Sequence, residues 1–199
     1  MCNRVRRSRS GFTLIEVLIV AMILGIVLYG VLGVLAASSS SYRHSSASLD
    51  MESRGSRLME RLVDALRRSG GTTLTSVPVN PLWTTTLDFQ RSQGFEGVAG
   101  NWSEVEGLRV DLAVGSLRWL REPEMASQAV IDDVQSVRPM LEGEIANGLD
   151  DNGNGLIDEP GFCVTRENNA IRLHLTLEEE GPNGSTLTRS WSTRVTTRN

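Results

Sequence analysis

An acidic, glycine-rich loop toward the C-terminus carries the residues best suited to bind a metal ion. It includes the sequence NGLDDNGNGLIDE and lies within residues 147–161. Asp150, Asn152 and Asn154 place side-chain oxygens at alternate positions, and Gly155 follows them, as in the first half of a calcium-binding loop. Hard oxygen ligands favour Ca²⁺ over metals that prefer nitrogen or sulfur. The spacing therefore predicts a Ca²⁺ site in this loop.

The remaining ligands of the predicted site follow the calcium-loop pattern less closely. The carbonyl oxygen of Leu156 comes next, and Asp158 follows it as a ligand that binds directly or through water. The twelfth position of the loop is Gly161 in place of the usual glutamate, so we expect Glu159 to supply that carboxylate. A solvated turn is the alternative, because Asn, Gly and Asp form tight turns readily without a metal.

A single acid interrupts the apolar stretch near the N-terminus. Glu16 lies in the segment SGFTLIEVLIV, and the residues from Val17 to Ala37 carry no charge. About 20 apolar residues suffice for a helix to cross the hydrocarbon core of a bilayer. A carboxylate so close to that core is unfavourable without a partner, so we expect its charge to have a function.

The charges around this stretch predict a single-pass topology. Four arginines occur in the first nine residues, and such a basic leader stays in the cytoplasm while the rest of the chain lies across the membrane. A cleaved secretory signal peptide is the less favoured interpretation, because the apolar run is longer than its usual core. No second stretch of this kind occurs in the sequence.

The segment GFTLIE, residues 11–16, together with the basic leader and the apolar run, resembles the processing motif of type IV pilins and type II secretion pseudopilins. The resemblance implies that a prepilin peptidase removes residues 1–11 by cutting between Gly11 and Phe12, and that the new terminus is N-methylated. It also implies that Glu16 pairs with the terminal amine of a neighbouring subunit. An ordinary membrane anchor with a chance acid is the alternative.

The pattern after the membrane segment predicts a long helix that continues outside the bilayer. Apolar residues recur at helical spacing, and a glycine pair at 70–71 provides a stop. We expect one helix over Thr13–Ser69, with 12–37 as the transmembrane part and 38–71 as the extracytoplasmic continuation. The residues predicted to face the core are Leu58, Met59, Leu62, Val63 and Leu66.

The remainder of the chain, residues 72–199, is predicted to form an antiparallel β-rich head. Together with the long helix, this head gives an α+β fold that resembles that of the pilins. In the predicted strand Ala170–Glu178, Ile171 and the next three alternate residues are apolar, and the residues between them are polar. We therefore expect this strand to have one buried face and one solvent-exposed face. Asn168 and the asparagine after it predict a hairpin turn. The predicted strands are Leu82–Phe89, Leu108–Ala113, Ser116–Leu120, Phe162–Glu167, Ala170–Glu178 and Thr186–Thr197.

The helix end and the last residues resemble those of minor subunits. Ser53–Gly71 is similar to the corresponding part of W-type minor pilins and J-type minor pseudopilins, and Arg198-Asn199 is similar to their tails. The resemblance implies a bacterial inner-membrane protein with a periplasmic head that enters a pilus or pseudopilus. Its implied partners are other minor and major pilins or pseudopilins, the prepilin peptidase and an inner-membrane assembly platform.

Composition argues against other functions. The formal charge of −4 becomes about −8 when the four leader arginines are removed. This negative charge disfavours electrostatic binding to nucleic acid. The two histidines, His44 and His174, have no nucleophile nearby in sequence, so we expect no enzyme. Cys163 is the lone cysteine after processing and is expected to be buried. A pilus-borne module that binds a surface, DNA or a secreted substrate is the alternative to an assembly subunit.

Overall fold

The computed structural model describes residues 13–96, 99–125 and 128–197. The described residues up to Ser45 form one unit, and those from Ser46 onward form a second one. The described part contains two α-helices, nine β-strands and one 3₁₀ turn, Pro182–Gly184. The helices and strands in chain order are α1 (Leu14–Arg67), α2 (Gly71–Ser76), β1 (Thr86–Phe89), β2 (Ser92–Glu96), β3 (Ala99–Trp102), β4 (Glu106–Asp111), β5 (Ser116–Arg121), β6 (Ala129–Gln135), β7 (Phe162–Glu167), β8 (Ala170–Glu180) and β9 (Thr186–Val195).

Helix α1 is long because helix-forming and apolar residues continue without a proline. Within the second unit, its buried residues recur every three or four positions and so lie on one face. That face joins the hydrophobic core formed with the strands of the sheets. The buried residues of α1 are Met51, Gly55, Leu58, Met59, Leu62, Ala65 and Leu66.

The end of α1 differs slightly from the predicted helix over Thr13–Ser69. The helix ends at Arg67, and the backbone N–H and the hydroxyl of Ser69 both donate to the carbonyl oxygen of Leu66, at 3.1 and 2.7 Å. These bonds tighten the last turn and satisfy a carbonyl that a helix end leaves open. The glycine pair at 70–71, predicted only as a stop, also begins α2.

All pairs of named strands are antiparallel, and together with α1 they confirm the predicted α+β class. One sheet has four strands in the order β1-β4-β5-β6, and a second one consists of β2 and β3. The third sheet has the order β7-β8-β9. The acidic loop belongs to the connection between β6 and β7, and so it joins the first sheet to the third.

Backbone bonds just before the acidic loop tie these two sheets together. Val137 pairs with Leu177 of β8, beyond the point where β7 begins, and its N–H donates to the carbonyl oxygen of Gly115 at 2.8 Å. The N–H of Arg138 donates to the carbonyl oxygen of Thr176 at 3.0 Å. The chain therefore enters the loop from a fixed backbone position.

The predicted hairpin between β7 and β8 is confirmed, with Asn168 at a φ of 53° in its turn. The strands predicted at Leu108–Ala113 and Ser116–Leu120 correspond to β4 and β5, which pair as a hairpin with Gly115 at a φ of 69°. The strand predicted from Leu82 begins only at Thr86. Three strands were not predicted, and they are β2, β3 and β6.

The prediction of a solvent-exposed face on β8 was wrong for the middle of the strand. His174 is 8% exposed and Thr176 is fully buried, although both alternate with the apolar residues of the strand. The connection between β6 and β7 covers this second face: the N–H of Glu142 donates to the Thr176 hydroxyl at 3.3 Å. Both faces are therefore buried in the middle of β8, while Arg172 and Glu178 on the second face stay partly exposed, and the alternation of residue types does not reveal this difference.

Candidate functional site

The first turn of α1 holds the Glu16 carboxylate. The backbone N–H and the hydroxyl of Thr13 both donate to Glu16 Oε2 at 2.9 Å, and the N–H of Glu16 faces the Thr13 hydroxyl at 3.4 Å. This is the capping-box arrangement, in which a Thr and a Glu three residues later satisfy the N–H groups that open a helix. Glu16 therefore has a local partner within its own chain.

The predicted cleavage site, Gly11 and Phe12, lies outside the described residues. Helix α1 begins at Leu14, directly after Thr13. Within the described residues it is the helix that is long and apolar enough to cross a membrane, with a mean hydropathy of 2.8 over 18 residues.

The acidic loop is anchored by a small apolar cluster of its own. The Leu156 side chain is 1% exposed and packs with Leu141 and Cys163, while Trp83 covers them from the side. The indole N–H of Trp83 donates to the carbonyl oxygen of Ile157 at 2.9 Å. The predicted ligand position Leu156 is thus fixed through its side chain.

Asp150 organises the turn that the motif predicted. Its Oδ1 accepts the N–H groups of Gly153 at 2.7 Å and Asn154 at 3.1 Å, and its Oδ2 accepts the N–H of Gly155 at 2.9 Å. Gly153 and Gly155 have φ values of 73° and 87°, which glycine adopts without strain. The chain therefore curls around the Asp150 carboxylate.

The two asparagines of the motif continue this curl. Asn152 Oδ1 accepts the N–H of Asn154 at 3.0 Å, and Asn154 Oδ1 accepts the N–H of Leu156 at 2.8 Å. Asp158 lies at the other end, where its carboxylate accepts the N–H groups of Asn147 and Gly148 at 2.8 Å. These side-chain oxygens bond to the loop's own backbone, as in turns formed by Asn and Asp.

Two buried glutamates accept N–H groups of the loop, one from before the loop and one from its end. Glu159 is fully buried, and its Oε1 accepts the side-chain amides of Asn152 at 2.9 Å and Asn154 at 2.5 Å. Glu144 is 4% exposed, and its Oε1 accepts the N–H groups of Asp151 at 3.1 Å and Asn152 at 2.9 Å. The Oε2 atom of each glutamate is buried without a hydrogen-bond partner.

The structure brings Asn152, Asn154 and Glu159 of the predicted ligands into direct contact. Within the described ranges, no three His, Cys, Asp or Glu side chains gather as a metal-holding group. A cation here would need amide and carbonyl oxygens as well, which calcium loops routinely supply. Glu144 was missed by sequence reasoning, because it lies outside the motif and no spacing rule connects it to Asp150.

Burial keeps the nearby thiol and imidazole uncharged. Cys163 is a free, buried cysteine, as expected, and burial followed by the charge of Glu159 raises the pKa of its thiol strongly. Burial, and to a lesser extent the neighbouring Arg172, lowers the pKa of His174, while Glu159 and Glu167 oppose this shift. A reactive thiolate is therefore disfavoured here.

A cleft of about 480 Å³, lined mostly by residues with polar side chains, opens beside the acidic loop. Asn152 and Asn154 line one side of it, and strands β8 and β9 line the other with His174 and Trp191. The Nε2 atom of His174 is buried without a hydrogen-bond partner. The loop thus forms one wall of the cleft and helps to determine its shape.

Comparison with known proteins identifies the N-terminal segment. A family model described as the prokaryotic N-terminal methylation motif matches residues 6–32. No curated protein and no solved structure matches the chain. The motif supports a type IV pilin-like or pseudopilin protein, and it implies processing by prepilin peptidase and assembly with other pilins. The apolar helix is consistent with membrane anchoring.

Proposed function

We propose that this chain is a minor pilin or pseudopilin, a structural subunit that helps to initiate or assemble a type IV pilus or a type II secretion pseudopilus. The observation that carries the proposal is the methylation motif at residues 6–32, which leads into the apolar part of α1. The similarity of Ser53–Gly71 and of Arg198-Asn199 to minor subunits supports a minor role. We expect no catalysis.

In this proposal the prepilin peptidase cuts between Gly11 and Phe12 at the inner membrane, and the new amino terminus is methylated. The subunit stays in the bilayer through α1, with its head in the periplasm. Glu16 then binds the terminal amine of a neighbouring subunit, because a carboxylate in lipid is stabilised by a cation. Helix packing replaces lipid contacts as the assembly platform moves the subunit into the filament.

Mass spectrometry of the mature protein tests the processing step. In cells with an active prepilin peptidase, we expect the chain to begin with N-methylated Phe12. Gly11→Val should block cleavage, while Gly25→Val serves as a matched control, because nothing lies within 4 Å of a side chain added at Gly25. A mature protein that begins at Met1 or near Ser38 would contradict the assignment.

A pilus-borne binding module is the second candidate. The cleft beside the acidic loop favours it, because buried polar groups that line a concave surface are typical of ligand sites. Binding of intact pili to a surface, to DNA or to a secreted substrate, lost on substitution of cleft residues, would support this function. Unchanged binding together with defective filament formation would support the assembly role.

We further propose that the acidic loop binds Ca²⁺ as a structural ion. The ligands would be Asp150, Asn152, Asn154, the carbonyl of Leu156, Asp158 and Glu159. The contact of both asparagines with the buried Glu159 supports the proposal, as does its unpartnered oxygen. Calcium supplies a positive charge to which oxygen ligands of the loop can bind.

The melting temperature of the full chain in detergent tests this binding. Affinities of calcium sites in extracellular modules are about 10⁻⁴ M. Calcium at a hundredfold excess over its Kd stabilises a folded protein by about 2.7 kcal/mol. We expect millimolar Ca²⁺ to raise the melting temperature, a chelator to lower it, and Asp150→Ala with Asp158→Ala to remove the response. Equal melting temperatures of wild type and the double variant at millimolar Ca²⁺ would show that the loop is only a solvated turn.

A further inference from the structure

Two buried carboxylates that contact the turn around Asp150 form no ion pair within the described residues. Glu144 and Glu159 each keep one oxygen, Oε2, buried and without a hydrogen-bond partner. Within the described residues, no arginine or histidine forms an ion pair with either of them. Burial of a carboxylate without a counter-charge is strongly unfavourable. Both groups therefore have the chemistry of cation ligands.

The contacts of the two glutamates meet at one residue of the loop. Glu144 Oε1 accepts the backbone N–H of Asn152 at 2.9 Å, and Glu159 Oε1 accepts the side-chain amide of the same residue at 2.9 Å. Asn152 is the third position of the predicted calcium loop. Glu144 thus reaches the early positions of the loop from outside the motif, while Glu159 approaches from its later positions.

The structure also explains why the twelfth position of the loop cannot supply its usual glutamate. Gly161 lies against the backbone of Arg138, and a Cβ added at Gly161 would overlap the Arg138 carbonyl oxygen. The N–H of Gly161 donates to the carbonyl oxygen of Pro139, and the carbonyl of Gly161 accepts the N–H of Thr176 at 2.6 Å. Any carboxylate that completes the site must therefore come from another part of the chain.

Building on the calcium binding proposed above, we propose that Glu144 supplies a further carboxylate to the site, in addition to Glu159. Glu144 binds the cation through its unpartnered Oε2, and Glu159 does the same from the opposite end of the loop. The oxygen-rich composition of the site selects a hard divalent cation such as Ca²⁺. The ligand set of the loop is therefore assembled from the motif and from a glutamate six residues before Asp150.

Terbium luminescence on the full chain in detergent measures this binding directly. Tb³⁺ occupies calcium sites and is excited through a nearby indole, and Trp83 contacts the loop at the Ile157 carbonyl. Competition by Ca²⁺ gives the calcium Kd. We expect Glu144→Gln to raise this Kd by about tenfold or more. Asp151→Asn removes one charge from the same loop without removing a proposed ligand, and it should change the Kd by less than about threefold.

A second measurement separates a ligand from a residue that only supports the fold. In the presence of a chelator, Glu144→Gln should melt at the same temperature as wild type or higher, because it removes a buried unpaired charge. Its amide oxygen still accepts the N–H groups of Asp151 and Asn152. With Ca²⁺ added, the stabilisation seen in wild type should be lost. A lower melting temperature in chelator would indicate a purely structural role and overturn the inference.

The other outcomes are equally distinct. A wild-type chain that binds neither Tb³⁺ nor Ca²⁺ overturns the proposed calcium binding itself. Wild-type binding that is unchanged in Glu144→Gln, or weakened equally by Asp151→Asn, overturns the assignment of Glu144 alone. If Glu144→Gln does not fold, Glu144→Asp takes its place, because it keeps the charge and shortens its reach. An unchanged Kd in that variant also overturns the assignment.

Discussion

The contact between Gly55 of α1 and Trp191 of β9 determines whether substitution of Gly55 raises or lowers the stability of the protein. A Cβ added at Gly55 would overlap the indole ring, and the ring atom Cζ3 would lie 2.7 Å away. The indole N–H donates to the neighbouring Ser56 hydroxyl at 3.3 Å, so the ring cannot simply turn aside without losing this bond. The substitution Gly55→Ala therefore tests how tightly α1 packs on the third sheet.

Two opposing effects determine the result of Gly55→Ala. Alanine is favoured over glycine inside a helix by about 1 kcal/mol. Overpacking of a filled contact costs about 1–3 kcal/mol. With Trp191 in place, the net result is a loss of about 1 kcal/mol, which corresponds to a fall of about 2–4 °C in melting temperature.

The substitution Trp191→Leu provides the matched background, because it removes the ring that the new methyl group would meet. In that background only the helix preference remains, so Gly55→Ala should raise the melting temperature by about 2–4 °C. The four proteins form a double-mutant cycle, which isolates the interaction between the two sites. Differential scanning calorimetry of the full chain in detergent measures all four. The same change in both backgrounds would refute the reasoning.

Two further predictions concern charged groups. We expect membrane insertion to be retained by Glu16→Gln and Glu16→Ala. Neither variant should enter filaments, because neither carries a charge at this position. Filament entry of Glu16→Gln alone would show instead that the hydrogen bonds to Thr13 are what matters. His174 has a lowered pKa in the fold, so below about pH 6.5 the unfolded chain binds a proton that the folded chain does not, and stability falls as pH falls. His174→Gln should weaken this fall in urea titrations between pH 7 and 5, and an unchanged pH dependence would contradict it.

The sequence revealed those parts of the fold that depend on local patterns. Helix α1 has a 3.6-residue apolar repeat, and the β7–β8 hairpin has an Asn-Asn turn between strongly patterned strands. Strand β6 was not predicted, because two consecutive aspartates interrupt its apolar pattern. It also lies at a sheet edge, where only one neighbouring strand pairs with it. Strands β2 and β3 are short and each contains a glycine, which weakens any strand signal.

Local sequence patterns likewise predict one part of the candidate site and not the other. The turn around Asp150 follows from the alternation of side-chain oxygens and glycines, and the structure contains it. The buried state of Glu144 and His174 depends on how the connection between β6 and β7 folds over β8. Such contacts join residues far apart in the sequence, so no local period encodes them. This is why one proposed ligand came only from the structure.

In the assembly proposed above, the hydrogen bonds between Thr13 and Glu16 would bear on the reversibility of filament growth. The Glu16 carboxylate accepts two hydrogen bonds from Thr13, so in the proposed stored subunit it would already have a local partner before it met a neighbour's amine. Docking of a neighbour's amine at Glu16 would compete with, or be added to, this internal contact. If the amine replaces this contact, the free energy gained per subunit would be smaller than that of a new ion pair in lipid. A polymer built from such exchanges could also be taken apart.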